Sequence, residues 1–353
     1  MERRLNRARH YLKGLDAILL LSRPSITYLT GYSGSDALYV FTETKDFLFV
    51  DSRNTLQARH ETQSDVREIS KRWDDVFDVL HGEGVKSLGI ESNILDLDSF
   101  IKMKDICKEI EMTPLGGQLK HLRAIKDAEE VDIIKQAARI SEDAVLSVLS
   151  KGLIGRREQD VALQIEWEMR LRGAAAASFE LIVASGYRSA MPHGTASEKV
   201  IVKNEAVVID FGCIYKGYCS DQTITVTTGD PDYSFSDAYL RVKEAQDRSI
   251  HALAQGVKAK DIDKLARDHL NVNGLGAFFG HGLGHGVGME VHEAPSVSPL
   301  SDDVLEEGMV ITIEPGVYLS GKFGIRLEDM LLVTDNSCMR LTNLDKKIIR
   351  NIS

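Results

Sequence analysis

The sequence has few cysteines, and they lack the spacing of a zinc knuckle or a disulfide framework. Four are scattered through the chain without a CxxC pair: Cys107, Cys213, Cys219 and Cys338. Isolated cysteines of this kind are typical of small buried side chains in a reducing compartment. We therefore expect a cytoplasmic protein whose fold does not depend on disulfide bonds.

Long basic or apolar runs are also missing. The formal net charge is -10, and the sequence shows no stripe of lysine and arginine that could neutralise nucleic-acid phosphates. The apolar stretch at 17–21 follows a basic N-terminus but is much too short for a signal sequence or a membrane span. We therefore predict neither nucleic acid nor a membrane as a partner.

The length and composition of the chain favour two packed domains. Its 353 residues exceed the length of about 250–300 residues at which a single hydrophobic core usually stops growing. The chain is 43% hydrophobic and 27% charged, as soluble globular proteins are. The pattern loosens at 116–123 and changes afterwards, so we predict domains at 1–120 and 121–353.

Strand and helix patterns alternate in the first domain. Short β-branched and aromatic runs predict the strands, and amphipathic stretches between them predict the helices. The predicted strands are 17–22, 37–41, 47–50, 66–69 and 87–91, and the helices are 24–30, 55–62, 74–81 and 98–107. This alternation predicts a small three-layer α/β domain.

The second domain begins with long helices and continues with strands. Asp127 with Glu130 three residues later forms a capping pair for a helix at 127–150. Further helices are predicted at 158–172, 237–254 and 260–271, and strands at 207–212, 223–228, 310–314 and 325–333. The chain as a whole is therefore predicted to be α/β (α+β).

Five possible metal ligands lie on or beside these strands and turns: Asp210, Asp221, His285, Glu314 and Glu328. A carboxylate inside an apolar strand, such as Asp210, must be paired or bound to a metal ion. A hairpin with glycines in its turn would place Asp210 and Asp221 side by side. Four carboxylates and one imidazole suit two adjacent divalent cations, which predicts a dinuclear metallohydrolase.

Three histidines, His281, His285 and His292, occur in the segment GHGLGHGVGMEVHEAP. The glycine density of this segment, and the absence of glutamate from the second position, argue against a helical HExxH motif. A glycine-rich turn that brings imidazoles close to a cation fits the segment better.

Several segments of the chain resemble a known family. The blocks IVASGYRSAMPHG, VVIDFGCIYKGYCSDQT, GHGLGHGVGMEVHEAP, TIEPGVY and GIRLEDM are similar, in this order, to the signature blocks of the Xaa-Pro peptidases, which include prolidase and aminopeptidase P. The segment SRPSITYLTGYSGSDALYV resembles their N-terminal domain. The resemblance implies a creatinase-like three-layer α/β domain followed by a metallopeptidase domain with the pita-bread fold.

The resemblance also implies a role for each ligand. Asp210 would hold one metal ion, Asp221 and Glu328 would bridge the two ions, and His285 and Glu314 would complete the second site. Glu314 would in addition act as the general base for the attacking water. A carboxylate-rich set with one histidine suits Mn²⁺ or Co²⁺, two ions per subunit, and Zn²⁺ is an alternative because geometry and metal availability decide among these ions.

Four further residues match positions that support catalysis in the family. His193 matches a histidine that contacts the substrate or the developing oxyanion, and His292 one that interacts with the scissile peptide and assists proton transfer. His281 would line the same pocket. Arg326 resembles an arginine that supports the site electrostatically, and an ordinary ion pair beside the site is its other interpretation.

Two departures from the family pattern bear on the substrate. Ile224 stands where the family usually has arginine in an SDxTRT pattern, and Ser296 stands where many prolidases have an arginine that holds the substrate carboxylate. Serine cannot form the bidentate cationic contact that arginine forms. We therefore expect an Xaa-Pro aminopeptidase acting on short proline-containing peptides, with an Xaa-Pro dipeptidase as the close alternative.

Other functions remain as weaker alternatives. A methionine aminopeptidase normally lacks the N-terminal domain, and creatinase does not use this metal set. A catalytically silent binding protein of the same fold is the alternative from a different functional class, and it is disfavoured because all five ligands are present. The resemblance further implies a homodimer.

Overall fold

The computed structural model describes residues 2–346 and 349–350. The chain divides into two compact units, Met1–Arg123 and Ala124–Ser353. Helices and strands occur in both units, which confirms the predicted mixed α/β class.

A six-stranded mixed sheet organises the first unit. Its strands are β1 (Ala17–Leu20), β2 (Ala37–Thr42), β3 (Asp46–Val50), β4 (Asp65–Glu68), β5 (Ser87–Ile90) and β6 (Glu111–Pro114). They lie in the order β4-β3-β2-β1-β5-β6. Strands β1, β2 and β3 pair antiparallel, whereas β1–β5, β5–β6 and β3–β4 pair parallel.

Helices surround this sheet. They are α1 (Glu2–Arg9), α2 (Arg23–Thr30), α3 (Thr55–Glu61), α4 (Arg72–Gly82) and α5 (Leu97–Ile106). Leu19 and Val40 pack in a core cluster that includes Val76 of α4 and Met103 of α5. The alternate residues of β1 and β2 are also buried, so both faces of the central strands are covered, as in a three-layer domain.

The second unit contains α6 (Ala128–Leu149), α7 (Glu158–Leu171), α8 (Tyr233–His251) and α9 (Ala259–Val272). The predicted capping pair is present, because the Asp127 carboxylate accepts from the backbone N–H of Glu130 and the Glu130 carboxylate accepts from that of Asp127. No described helix of either unit has the length and apolarity needed to cross a membrane.

Four sheets complete the second unit. Their strands are β7 (Ala176–Ala177), β8 (Ile182–Ser185), β9 (Ala206–Phe211), β10 (Cys213–Tyr215), β11 (Tyr218–Cys219), β12 (Gln222–Thr227), β13 (Gly284–Gly286), β14 (Glu293–Val297), β15 (Val310–Ile313), β16 (Gly316–Leu319), β17 (Phe323–Arg326), β18 (Asp329–Val333), β19 (Cys338–Arg340) and β20 (Ile349–Arg350). The sheet orders are β11-β10-β7, β20-β12-β9-β8, β14-β13-β15-β18-β19 and β16-β17.

The antiparallel pair β9–β12 shows the period of two that its sequence predicts. On one face Ile209 lies opposite Ile224, and both are buried in the apolar cluster under α6 and α7. On the other face Asp210 lies opposite Thr223. Successive strand residues point to opposite faces, so this alternation separates the apolar core from the carboxylate.

The predicted hairpin between Asp210 and Asp221 is more elaborate than expected. The residues between them form the small β10–β11 hairpin, which belongs to a separate sheet. Gly212 follows β9 and lies close to the backbone of Ser220. Only glycine fits there, because a Cβ at this position would lie 1.9 Å from the Ser220 carbonyl oxygen. The chain then returns so that Asp221 immediately precedes β12.

The predicted strand at 325–333 is in fact two strands, β17 and β18, which belong to different sheets. The chain changes sheet at Glu328, whose backbone N–H donates to the Thr223 carbonyl of β12 instead of continuing a ladder. In the first unit, helix α1 and strand β6 were not predicted, because α1 is almost wholly charged or polar and β6 is short and ends in proline. In the second unit, the sequence did not predict the short strands β7, β8, β10, β11, β13, β14, β16, β19 and β20.

We predict that Asp127→Ala lowers the free energy of unfolding of the second unit by about 1 kcal/mol, because an N-cap acceptor is lost. Asp127→Asn, which keeps an acceptor oxygen, should change it by a few tenths of a kcal/mol. Urea denaturation followed by circular dichroism measures both variants. Equal destabilisation by alanine and asparagine would show that the cap hydrogen bond is not the stabilising contact.

Candidate metal centre

The second unit has a cavity of about 470 Å³ that is lined by all nine site residues predicted from the sequence. Asp210 comes from β9, Asp221 precedes β12, His285 lies on β13, Glu314 follows β15, and Glu328 separates β17 from β18. His193, His281, His292 and Arg326 line the same cavity. Residues far apart in sequence therefore converge, because strands of three different sheets carry them to one cavity.

Three of the five predicted ligands already lie at metal-binding separations. One ligand atom from each of Asp221, His285 and Glu328 lies within 4.8 Å of the other two. His285 Nε2 is 3.6 Å from Asp221 Oδ2 and 3.2 Å from Glu314 Oε1. The imidazole therefore faces two of the carboxylates.

The position of His285 depends on its neighbouring glycines and on a hydrogen bond. A Cβ at Gly284 would lie 2.0 Å from the Thr312 carbonyl oxygen, so only glycine allows β13 to approach β15 this closely. His285 Nδ1 lies 3.1 Å from the Gly286 carbonyl oxygen. An Nδ1–H that donates to this carbonyl leaves the Nε2 lone pair directed into the site, as in many metal-bound histidines.

Arg326 is a buried cation beside the carboxylates. Its Nη2 lies 2.5 Å from Asp210 Oδ2, and its Nη1 donates to the Tyr318 hydroxyl and to the Pro192 carbonyl. Its Nε donates to Thr223 Oγ1, which in turn donates to Glu328 Oε2 at 2.7 Å. Arg326 thus orients Asp210 directly and Glu328 through Thr223.

Two carboxylates of the site each have one oxygen atom that could bind a metal ion. Among the described residues, Asp210 Oδ1 and Glu328 Oε1 are buried oxygens without a hydrogen-bond partner. A buried carboxylate oxygen without a partner is costly. Each of these residues has its second oxygen held, by Arg326 or by Thr223, so the unpartnered oxygens are available as ligands. The residues therefore fit divalent cations that prefer oxygen with some nitrogen.

Burial and mutual repulsion change the acidity of the carboxylates. Burial, followed by the charges of Glu328, Asp210 and Glu314, raises the pKa of Asp221 well above its ordinary value. Burial, then Glu314 and Asp210, likewise raises the pKa of Glu328. Both carboxyl groups therefore resist ionisation in the absence of cations, and bound metal ions would reverse this effect.

Glu314 differs from the other carboxylates. Burial would raise its pKa, but the hydrogen bond and charge of His285, followed by His281 and Arg326, lower it. Burial likewise opposes the charged form of His285, yet its contacts with Glu314 raise the pKa of this histidine. Without a metal ion the two side chains therefore behave as a pair in which Glu314 is the ionised partner, whereas a bound ion would take the place of the Nε2 proton.

The other histidines surround the ligands. The His292 ring packs edge-to-face against the His285 ring, with 4.2 Å between centroids. His281 has Nε2 3.1 Å from the Tyr318 hydroxyl and Nδ1 2.7 Å from the Gly282 carbonyl. Burial lowers the pKa of both His281 and His292, so both imidazoles are neutral at pH 7.

Two polar residues that touch the site were not singled out from the sequence. The Tyr318 hydroxyl connects His281 to Arg326, and Thr223 connects Arg326 to Glu328. Tyr318 lies in the block TIEPGVY and Thr223 in SDQT. A tyrosine or threonine a few residues after a ligand was the available signal, but it is common in strands.

The structure explains one of the two departures from the family pattern. Ile224 is buried in the apolar cluster opposite Ile209, so no ion pair is needed there. Ser296 is exposed on β14, where its Cα is the partner of His285, and it does not line the cavity. Its hydroxyl instead hydrogen-bonds to Ser298.

Comparison with family models matches both parts of the chain. The model described as metallopeptidase family M24 matches residues 132–335. The model described as creatinase/prolidase N-terminal domain matches residues 4–125. These matches confirm the resemblance inferred from the sequence blocks and the two-part fold that it implied.

Similar proteins cover almost the whole chain. An Xaa-Pro dipeptidase of Pyrococcus horikoshii is 38% identical over 336 residues, which is 95% of each chain. The solved structure of an Xaa-Pro dipeptidase from Bacillus anthracis is 37% identical, has a TM-score of 0.94 and covers 98% of both chains. That of an X-Pro aminopeptidase from Thermotoga maritima is also 37% identical, has a TM-score of 0.90, and covers 97% of this chain and 99% of its own.

We predict opposite effects of Asp221→Asn on the metal-free and metal-loaded protein. A carboxyl whose pKa is raised by folding destabilises the folded state at neutral pH, so the amide should raise the melting temperature of the metal-free protein. The expected scale is roughly 2–4 °C per kcal/mol. The increase in melting temperature on adding Mn²⁺ should shrink, because a ligand is lost.

Differential scanning fluorimetry with EDTA and with Mn²⁺ measures these effects. Asp132→Asn is the matched control, because the Asp132 side chain is 78% exposed on α6. It should change neither the melting temperature of the metal-free protein nor that of the protein with Mn²⁺. If Asp221→Asn destabilised the metal-free protein, the favourable contacts of the Asp221 carboxylate would outweigh its repulsion by the neighbouring carboxylates.

Proposed function

The chain belongs to metallopeptidase family M24, and from this membership we propose that it hydrolyses the bond before proline in short peptides, with Xaa-Pro dipeptides as preferred substrates. The observation that supports the proposal most strongly is the convergence of the four predicted carboxylate ligands and four histidines on one cavity of the second unit. A silent binding protein would have no use for this costly arrangement.

We assign the metal ligands as the sequence implies. Asp210, Asp221, His285, Glu314 and Glu328 would hold two divalent ions, Mn²⁺ or Co²⁺ by preference, with Asp221 and Glu328 shared. When bound, such ions lower the pKa of a coordinated water and polarise the scissile carbonyl. The closeness of Asp221, His285 and Glu328 supports this assignment.

Glu314 is the proposed general base. Its lowered pKa keeps the carboxylate ionised at neutral pH, so it can accept a proton from the attacking water. Its Oε1 faces His285 Nε2 at 3.2 Å and accepts from Thr312 Oγ1 at 3.3 Å. These contacts fix the carboxylate inside the cavity before substrate arrives.

The remaining histidines would bind and orient the peptide. His193 and His292 line the cavity, and we assign to them hydrogen bonds with the substrate carbonyl and the scissile amide. We propose that His292 assists proton transfer, by relaying to the departing proline nitrogen the proton that Glu314 removes from water. His281 positions the site through Tyr318, since its Nε2 lies 3.1 Å from that hydroxyl.

The apolar part of the cavity suits proline. Phe179, Ile182 and Val291 line it beside the ligands. A pyrrolidine ring is apolar and lacks an N–H in the Xaa-Pro bond, so it leaves no donor unsatisfied against such surfaces. This chemistry supports selection of proline after the scissile bond.

The choice between dipeptides and longer peptides depends on the carboxyl end of the substrate. The comparisons support dipeptides more strongly than the sequence-based expectation of aminopeptidase action, since two of the three relatives described above are named dipeptidases. Among the described residues that line the cavity, however, Arg326 is the only lysine or arginine, and it is paired with Asp210. This observation favours aminopeptidase action as the second candidate.

Kinetics in excess Mn²⁺ distinguish these functions. We expect Ala-Pro to have a higher kcat/KM than Ala-Pro-Ala, and Ala-Leu to be cleaved much more slowly than either. Glu314→Gln should lower kcat by at least about a hundredfold, because both a base and a ligand are lost. Its melting temperature with EDTA shows whether the variant is folded.

The opposite ranking, with Ala-Pro-Ala cleaved faster than Ala-Pro, would show that the chain acts as an aminopeptidase. Ser296→Arg is a second variant that tests recognition of the substrate carboxylate, because it introduces the cation that many prolidases have at this position. We expect it to increase the preference for Ala-Pro over the amide of Ala-Pro, which has no carboxylate. If the wild-type enzyme cleaves none of these peptides with Mn²⁺ or Co²⁺ present, the proposal is wrong.

We also propose the homodimer that the family resemblance implies. Light scattering of the Mn²⁺-loaded protein at micromolar concentration should show twice the mass of one chain. A mass equal to one chain under these conditions would contradict the dimer.

A further inference from the structure

The first unit contains a second cluster of side chains that could bind a metal ion. It consists of His81 in the last turn of α4, Cys107 immediately after α5, and Glu109 two residues later. One ligand atom from each lies within 4.8 Å of the other two. We propose that these three residues form a binding site for a thiophilic divalent cation, Zn²⁺ being the representative ion.

The distances within this cluster are close to those among three ligands of a tetrahedral site. The Cys107 Sγ lies 3.5 Å from His81 Nε2 and 3.8 Å from Glu109 Oε2, and the last two atoms are 3.9 Å apart. Zinc-ligand bonds of about 2.0–2.3 Å at tetrahedral angles place sulfur and nitrogen about 3.5 Å apart, and nitrogen and oxygen about 3.3 Å apart. Small shifts of the Glu109 side chain complete the geometry.

The backbone fixes two of these ligands. Cys107 is the C-cap of α5, its N–H donates to the Met103 carbonyl, and its side chain is buried in the core of the unit. His81 belongs to α4, and the neighbouring Leu80 is fully buried. The backbone of both ligands is therefore held by packed helices, and the buried Cys107 thiol loses little conformational entropy when an ion binds.

The third ligand, Glu109, is open to solvent. The Glu109 side chain is 70% exposed and that of His81 is 43% exposed, so an ion can enter from that side. Among the described residues, no lysine or arginine forms an ion pair with Glu109. Its carboxylate is directed instead at the thiol and the imidazole.

This site differs chemically from the carboxylate centre. A thiolate and an imidazole prefer softer ions such as Zn²⁺ or Co²⁺, whereas the oxygen-rich centre of the second unit suits Mn²⁺. A bound ion would connect the end of α4 to the segment that follows α5. We expect it to stabilise the first unit, and it requires no participation of the peptidase centre.

Co²⁺ provides a direct test on the full chain, because a thiolate bound to cobalt gives a near-ultraviolet charge-transfer band that oxygen and nitrogen ligands do not give. Metal-free protein is kept reduced with a phosphine and titrated with Co²⁺. We expect a saturating band at micromolar metal. It should be absent in Cys107→Ala and should remain in Cys338→Ala, the matched removal of another cysteine.

Two variants test the other ligands. His81→Gln and Glu109→Gln should each raise the Co²⁺ concentration for half-saturation by at least about tenfold. Glu109→Gln changes an exposed side chain, so it keeps the test valid if Cys107→Ala fails to fold. Asp221→Asn should leave the band unchanged, which separates this site from the proposed peptidase centre.

No charge-transfer band in the wild-type protein at saturating Co²⁺ would overturn the proposal. The same conclusion follows if the band survives Cys107→Ala, or if neither His81→Gln nor Glu109→Gln weakens binding. Each of these outcomes is independent of whether the chain cleaves peptides.

Discussion

The repulsion among four carboxylates, two of them buried and two partly buried, is the constraint on which the organisation of the second unit depends. Asp210, Asp221, Glu314 and Glu328 share one cavity, and burial raises the pKa of three of them. Such a cluster cannot be a source of stability on its own, since like charges in a poorly hydrated site repel strongly. It persists because the surrounding strands are held by their apolar faces, and because cations can neutralise it.

The protein supplies part of that positive charge itself. Arg326 pairs with Asp210 on the cavity side. Deeper in the unit, Lys346 is fully buried, with Nζ 3.5 Å from Asp329 Oδ1 and 3.1 Å from the Thr223 carbonyl oxygen. These two cations flank the strand junction that carries Glu328, so the carboxylate cluster is partly balanced before a metal ion binds.

The sequence predicted the longer helices and several strands, and it identified the side chains that could bind metal ions. The alternation of apolar and polar residues in β9 and β12 places Ile209 and Ile224 on the face opposite to Asp210. This period of two can be recognised from the sequence alone. The Asp127 and Glu130 pair located the start of α6 correctly. Carboxylates in apolar strands identified the ligand candidates, because burial of an isolated charge is too costly to occur without a partner.

The tertiary structure alone decided which of these groups meet. The chain passes from one sheet to another between β17 and β18. This crossing places Glu328 at the break and allows Arg326 to reach it through Thr223. The contacts of Tyr318 with the site depend on the same arrangement of sheets. The meeting of His81 with Cys107 depends in the same way on how α4 and α5 pack. Local sequence determines periodicity, capping and the identity of the donor atoms, whereas distances between remote residues are set by strand pairing and helix packing, which no local pattern encodes.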